Sequence, residues 1–213
     1  MPRTPRLQRA AATVEPDSTR TGSLLMITVT WPGMGPAYSR TGRLAGRYDG
    51  CMPTQIPNSR VMPRFAGLVT FGRYPRVADV SPADRPLDWV FYGVPFDGGV
   101  TYRPGARFGP RAIREESQYL KPYSMAHRVN VCEQLSLADA GDAPVSPYSA
   151  PETARSVAEY ATDLPDPATA RLLALGGDHS VAYANIRATW ERRGRPPDGL
   201  ALIHFDSHLD TVD

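Results

Sequence analysis

The sequence predicts an open α/β fold built on a parallel sheet. Three observations predict it. From Trp89 onward, short apolar runs alternate with longer amphipathic stretches, the pattern of consecutive βαβ units. The apolar runs end in glycine turns or in clusters of polar residues, as strands do where they enter functional loops. Proline, at 22 of 213 residues, is too frequent for a helical bundle or coiled coil, because it breaks helix interiors. A chain of this length has room for one domain.

The elements follow in order. Residues 1–50 show no sustained period and carry many breakers, so they read as a disordered tail or an over-extended start. Residues 51–213 form the α/β domain. Its first part, to Pro86, is irregular, but Met62, Phe65, Leu68, Val69 and Phe71 give it apolar groups to bury as it wraps over the domain. Trp89 to Val94 is a buried strand. A glycine- and proline-rich loop runs from Pro95 to Pro110, and Arg111 to Leu120 is a helix closed by Pro122. Leu135 to Ala140 is a second strand, closed by Gly141 and Asp142. Pro151 to Ala161 is a helix with proline in its tolerant first turn. Arg171 to Leu175 is a third strand, Ser180 to Arg193 a helix stopped by Gly194, and Leu200 to Phe205 a fourth strand.

Composition narrows the function. Basic and acidic residues number 24 and 22, a net charge of +2, which argues against a dedicated nucleic-acid binder. The apolar run from Leu24 to Trp31 is far short of the ~20 residues a membrane span needs, so no membrane partner is expected. Cys51 and Cys132 lie far apart and match no metal spacing. They read as reduced thiols of a cytoplasmic protein.

The chemistry gathers at two strand ends. The third strand runs into Gly176-Gly177-Asp178-His179-Ser180, the fourth into Asp206-Ser207-His208-Leu209-Asp210. Parallel strands place both clusters on one edge of the sheet. Asp206, His208 and Asp210 alternate, so in extended backbone they share a face. Burying so many carboxylates without a cation is costly, and a metal ion relieves the cost. The bland alternative is a salt-bridged loop with an aspartate capping the next helix. Carboxylates with imidazole and no thiolate favour manganese, ahead of magnesium, iron(II) or zinc.

Three stretches resemble the ureohydrolases, the arginase and agmatinase superfamily, and agmatinases most. They are Gly93-Val94-Pro95-Phe96-Asp97-Gly98-Gly99 continuing through Arg103 to Arg114, then Gly176 to Ser180, then Asp206 to Asp210. The stretch from Met52 to Phe71 is similar to an agmatinase amino-terminal arm. The resemblance implies a three-layer sandwich with an eight-stranded sheet, of which this chain carries about the first half. It implies a binuclear manganese hydrolase that cleaves a guanidino compound, agmatine first and 4-guanidinobutyrate second, to urea and an amine. His179 and Asp210 are then expected on one ion, His208 on the other, and Asp206 between them. Asp210 is expected to orient the metal-bound hydroxide. Asp178 either orients its neighbour His179 or caps the helix that follows. Trimers or hexamers are the family's assemblies, so a homo-oligomer is expected for a complete chain.

The family's third metal motif, with two further carboxylates, is expected downstream of Asp213. The chain as written therefore carries four of six ligands, and weak metal binding is expected of it. Arg103 and Arg107 are read as structural or intersubunit ion pairs, His204 as a packed core residue of the fourth strand, and His127 as a loop residue. Two rival readings stand beside the ureohydrolase. One is another metal hydrolase, such as a phosphoesterase. The other is a non-catalytic remnant or assembly partner.

Overall fold

The computed structural model describes residues 54–206. The expected tail over residues 1–50, Cys51, and the candidate ligands His208 and Asp210 lie outside the described residues.

The centre is a three-stranded parallel sheet of β1 (Trp89–Val94), β4 (Leu137–Asp142) and β5 (Arg171–Gly176), in the order β4-β1-β5. β1 runs in register with β5 from Trp89 opposite Arg171 to Val94 opposite Gly176. Its pairing with β4 begins at Trp89 opposite Leu137 and shifts between Phe91 and Gly93. Positions 90–94 of this central strand are all buried, because both faces are covered. Val90, Tyr92 and Val94 face the main core with Val157, Ala161, Ala184 and Ala188. Those residues belong to α3 (Ala150–Asp163) and α4 (Val181–Arg192). The Tyr92 hydroxyl donates to Asn185 Oδ1 at 2.9 Å, satisfying a polar tip inside that core. On the opposite face Phe91 stacks on Phe71, with ring centroids 4.3 Å apart. Here α1 (Gly109–Ser117) and the 54–86 arm form the third layer.

Local chemistry explains most boundaries. Pro110 sits in the first turn of α1 and Pro151 in that of α3, where a missing N–H costs nothing. Ser149 caps α3 by accepting from Glu152 N–H. Gly194, at φ 74°, ends α4, with its N–H donating to Glu191 C=O. A small hairpin of β2 (Tyr123–Ser124) and β3 (Val129–Asn130) leads into the short α2 (Val131–Gln134), elements with no signal in the sequence.

Three expectations need correction. The second strand starts and ends two residues late, since Leu137 is the first residue with a partner on β1 and Asp142 pairs Gly93 beyond the glycine. Leu200 to Phe205 forms no strand. Those residues have no ladder partner among the described residues, and Leu202, Ile203 and Phe205 are exposed. An apolar run becomes a strand only when a neighbour supplies its hydrogen bonds. Of the arm residues, Phe71 reaches the domain, while Met62, Phe65, Leu68 and Val69 stay exposed.

The arm is held by polar contacts instead. Phe71 N–H donates to Asp139 Oδ2 at 2.7 Å and Gly72 N–H to Ser117 Oγ at 2.8 Å. Asp139 is buried on β4 and grips Arg114 of α1 through Nε at 2.8 Å and Nη2 at 3.0 Å. Arg114 also donates to Asp142 Oδ1 at 2.5 Å and Gly141 C=O at 2.8 Å. Burial works against the guanidinium's charge, but the hydrogen bonds to Asp139 and Asp142 outweigh it and raise its pKa above the ordinary value.

Removing one partner of such a pair leaves a buried charge uncompensated. Arg114→Met is expected to lower the unfolding free energy by about 3–5 kcal/mol in urea denaturation. Arg111→Met, which breaks the exposed Arg111–Glu115 pair, is expected to leave the midpoint unchanged.

Candidate metal centre

The site forms where β5 leaves the sheet. Gly177 N–H donates to Val94 C=O at 3.2 Å and Asp178 N–H to Phe96 C=O at 2.8 Å, so the turn lies flat against the end of β1. A Cβ on Gly177 would collide with the carbonyl oxygens of Phe96 and Val94. Only glycine permits this approach, and the approach puts His179 at the carboxyl edge. The first turn of α1 closes in from the side, where a Cβ on Gly109 would lie 2.5 Å from Gly176 C=O.

Asp178 ties this turn to the loop after β1. Its Oδ2 accepts from Gly99 N–H at 2.8 Å, and its Oδ1 accepts from Ser180 N–H at 3.1 Å and from the Ser180 hydroxyl. The same loop is knotted at its base by Asp97. That buried carboxylate accepts from Arg107 Nε at 2.6 Å, Gly105 N–H at 2.7 Å and Arg107 N–H at 3.2 Å. The hydrogen bond from Arg107, joined by those from the two backbone amides, holds the Asp97 carboxyl at about 2. Arg107 is thus an ion-pair residue, as its type suggested. Arg103 adopts φ 55° and lies 5.1 Å from the centre of the Tyr102 ring; it makes no ion pair among the described residues.

Across from the turn lies the segment 201–206. His179 Nδ1 is 3.3 Å from Asp206 Oδ2, and His179 Nε2 is 3.2 Å from His204 Nε2. The carboxylate also lies 3.7 Å from His204 Nε2. One donor atom from each of the three residues falls within 4.8 Å of the others. The separation of His179 from Asp206 exceeds the 2.7–2.9 Å of a charge-assisted hydrogen bond. It matches two donors sharing a small cation, which sit about 3 Å apart when each bond is about 2.1 Å. Two imidazoles and a carboxylate with no thiolate suit a divalent cation of the manganese, iron or zinc kind. The residues present therefore fit a metal.

Of the four ligands expected from sequence, His179 and Asp206 meet, and His208 and Asp210 lie outside the described residues. His204 is a correction. It packs in no core but is exposed beside His179, with ring centroids 4.9 Å apart. The signal was available, since His204 alternates with Asp206 and so shares its face. A cleft of 540 Å³ along β4, lined by Val77, Arg114 and Tyr160 among others, includes no residue of the 176–180 turn and is separate from this centre.

A family model described as the arginase family matches residues 87–213. The chain belongs to the arginase family. Among its arginase-family relatives, the proclavaminate amidinohydrolase of Streptomyces clavuligerus is 38% identical over 154 residues, covering 72% of this chain and 46% of that protein. The guanidinobutyrase of Pseudomonas aeruginosa is 38% identical over 153 residues, covering 71% and 46%. The mitochondrial agmatinase of Gallus gallus is 36% identical over 157 residues, covering 74% and 44%. The solved structure of the Streptomyces clavuligerus enzyme superposes with a TM-score of 0.53 at 35% identity, covering 61% of this chain and 42% of that one. The chain thus spans less than half the length of these arginase-family relatives. Among the described residues, no helix is long and apolar enough to cross a membrane.

Asp97 gives the site region an acid signature. Its pKa is about 2 in the folded chain against 3.8 ordinarily, so its stabilising effect is present above about pH 4 and is lost as pH falls toward 2. Asp97→Asn is expected to be less stable than the parent at pH 7, with the gap closing between about pH 4 and 2 in urea titrations at stepped pH.

Proposed function

We propose that the protein is a manganese-dependent ureohydrolase that cleaves a guanidino compound to urea and an amine, with agmatine, giving putrescine, as the lead substrate. The observation that carries this is the meeting of His179 and Asp206, 3.3 Å apart, at the carboxyl edge of a parallel sheet. The arginase-family match supports the reaction class, and the chicken agmatinase supports the substrate.

His179 and Asp206 would hold the metal together with His208 and Asp210. Bound manganese supplies Lewis acidity, lowering the pKa of a water so that a nucleophile exists near neutral pH. The protein's own residues do the rest. The glycine turn holds the backbone before His179 against the end of β1, which places that residue at the carboxyl edge. Asp178 locks the rim loop to that turn through Gly99, giving the substrate a defined wall. Water adds at the guanidinium carbon, the bond to the alkyl nitrogen breaks, and that nitrogen leaves as the amine with the added proton. A homo-oligomeric assembly, a trimer or hexamer in the cytoplasm, completes this reading.

A guanidino acid is the second reading, favoured by Arg103. That cation sits on the anchored rim loop outside any ion pair among the described residues, and it suits a substrate tail ending in carboxylate. The Pseudomonas guanidinobutyrase fits the same class.

Urea release from agmatine, 4-guanidinobutyrate, 3-guanidinopropionate and arginine tests both. Activity is expected with manganese and none after chelation. His179→Ala and Asp206→Asn are expected to fall to background. No urea from any of the four with manganese present, or equal hydrolysis of a generic phosphate ester, would sink the proposal. If the acid reading holds, Arg103→Ala raises KM for 4-guanidinobutyrate about tenfold and leaves agmatine unchanged.

A further inference from the structure

We propose that the exposed arm and the cleft beside it form one self-complementary surface for a second copy of this chain, Phe65 of each copy entering the cleft of the other. The proposal names a face for the homo-oligomer of the reading above and draws on none of the metal chemistry. The arm supplies a knob. Phe65 is 92% and Val61 83% exposed, yet the segment that carries them is fixed to the domain. Arg73, buried behind it, donates to Ser59 Oγ at 2.8 Å and to Met62 C=O at 2.7 Å. Arg64 donates to Gln118 C=O at 2.9 Å and Leu120 C=O at 3.5 Å, and Gln118 Nε2 donates to Thr70 C=O at 2.7 Å. The N–H groups of Met62 and Ala66 close turns on Asn58 and Pro63. The arm thus turns polar groups inward and apolar ones outward, and its backbone has little ordering left to lose on docking. Val61, Phe65, Leu68 and Val69, with Tyr119 and Leu120 beside Arg64, expose on the order of 800 Å². That exceeds the ~300–600 Å² of the largest apolar patch on an ordinary monomer and matches the ~800 Å² each partner gives to a stable interface.

The hole adjoins the knob. Leu68 and Val69, three and four residues on from Phe65, also line the 540 Å³ cleft along β4, whose other apolar lining includes Val77, Ala78, Ala140 and Leu164. Its charged residues are paired, Arg76 with Asp79, and Arg114 with Asp139 and Asp142. The cleft therefore suits an apolar group better than an ion. It has room for a phenylalanine ring. A knob and a hole carried by one arm fit a second copy across a twofold axis, because each contact is then made twice.

Sedimentation velocity of the 213-residue chain at stepped concentrations tests this, with a reversible dimer expected as the smallest associated unit. Phe65→Glu charges the knob and Ala78→Glu charges the hole. Each is expected to weaken association at least about thirtyfold. Both positions are exposed, so the fold is expected to survive, and unchanged thermal melting of dilute protein checks that. Ile203→Glu, on a different exposed apolar run, is expected to leave association unchanged. A photo-crosslinker at position 65, in a mixture of light and isotopically heavy chains, is expected to join residues 77–78 or 160–164 of the other copy. A dimer indifferent to both charges, or crosslinks that stay within one copy, overturns this face and leaves the homo-oligomer standing. A monomeric parent overturns both, whatever the outcome of the urea assay.

Discussion

Arg114 is where the layers of this protein are joined. It leaves α1, passes into the sheet, and ends in a two-pronged grip on Asp139 with a third bond to Asp142, both on β4. Asp139 accepts in addition from Phe71 N–H, so one buried carboxylate holds the arm, the helix and the edge strand. A pair of this kind is not cheap, because both charges leave water. Its value is geometric. A guanidinium fork fits a carboxylate in one orientation, and that orientation sets the tilt of α1 against the sheet. The start of α1 closes on Gly176 C=O, so the same grip reaches the turn that carries His179.

The turn itself depends on the absence of side chains. Gly177 lies against the carbonyl oxygens of Val94 and Phe96, and Gly109 against that of Gly176. Two strand ends and a helix start therefore converge with backbone touching backbone. That leaves little freedom for His179, which is what a preorganised donor requires. The rim loop is rigid for another reason. Asp97 gathers Arg107 and two amides at its base, and Asp178 takes Gly99 at its middle.

How much of this the sequence shows depends on what makes each feature. β1 is legible to the residue, because Trp89 to Val94 is an apolar run covered on both faces. The α4 stop at Gly194 is legible because a left-handed residue there needs glycine. Boundaries set by a partner are not. The start of β4 depends on where β1 begins, and the run from Leu200 to Phe205 has the composition of a strand but no ladder partner among the described residues. In the site, residue type and spacing marked His179 and Asp206. A histidine inside an apolar run looks like core; the alternation of His204 with Asp206 argues the other way, and the placement of Leu202, Ile203 and Phe205 in solvent decides it. The Arg114 grip left no signal, since its partners are 25 and 28 residues away.

Asp97, Asp178 and Asp206 lie near the carboxyl edge, and their described partners sort them. Asp97 is matched by a guanidinium and two amides, Asp178 by two amides and a hydroxyl. Both carboxylates face donors, so their lone pairs are committed to holding loops. Among the described residues, Asp206 faces imidazole nitrogens at 3.3 and 3.7 Å. A neutral imidazole nitrogen without hydrogen offers a lone pair, and a lone pair beside a carboxylate oxygen is repulsive until a proton or a cation lies between them. Of the three, Asp206 is the one placed to share a cation with His179. The same reasoning excludes Asp97 and Asp178 from that role, although all three are aspartates at the same edge of the same sheet.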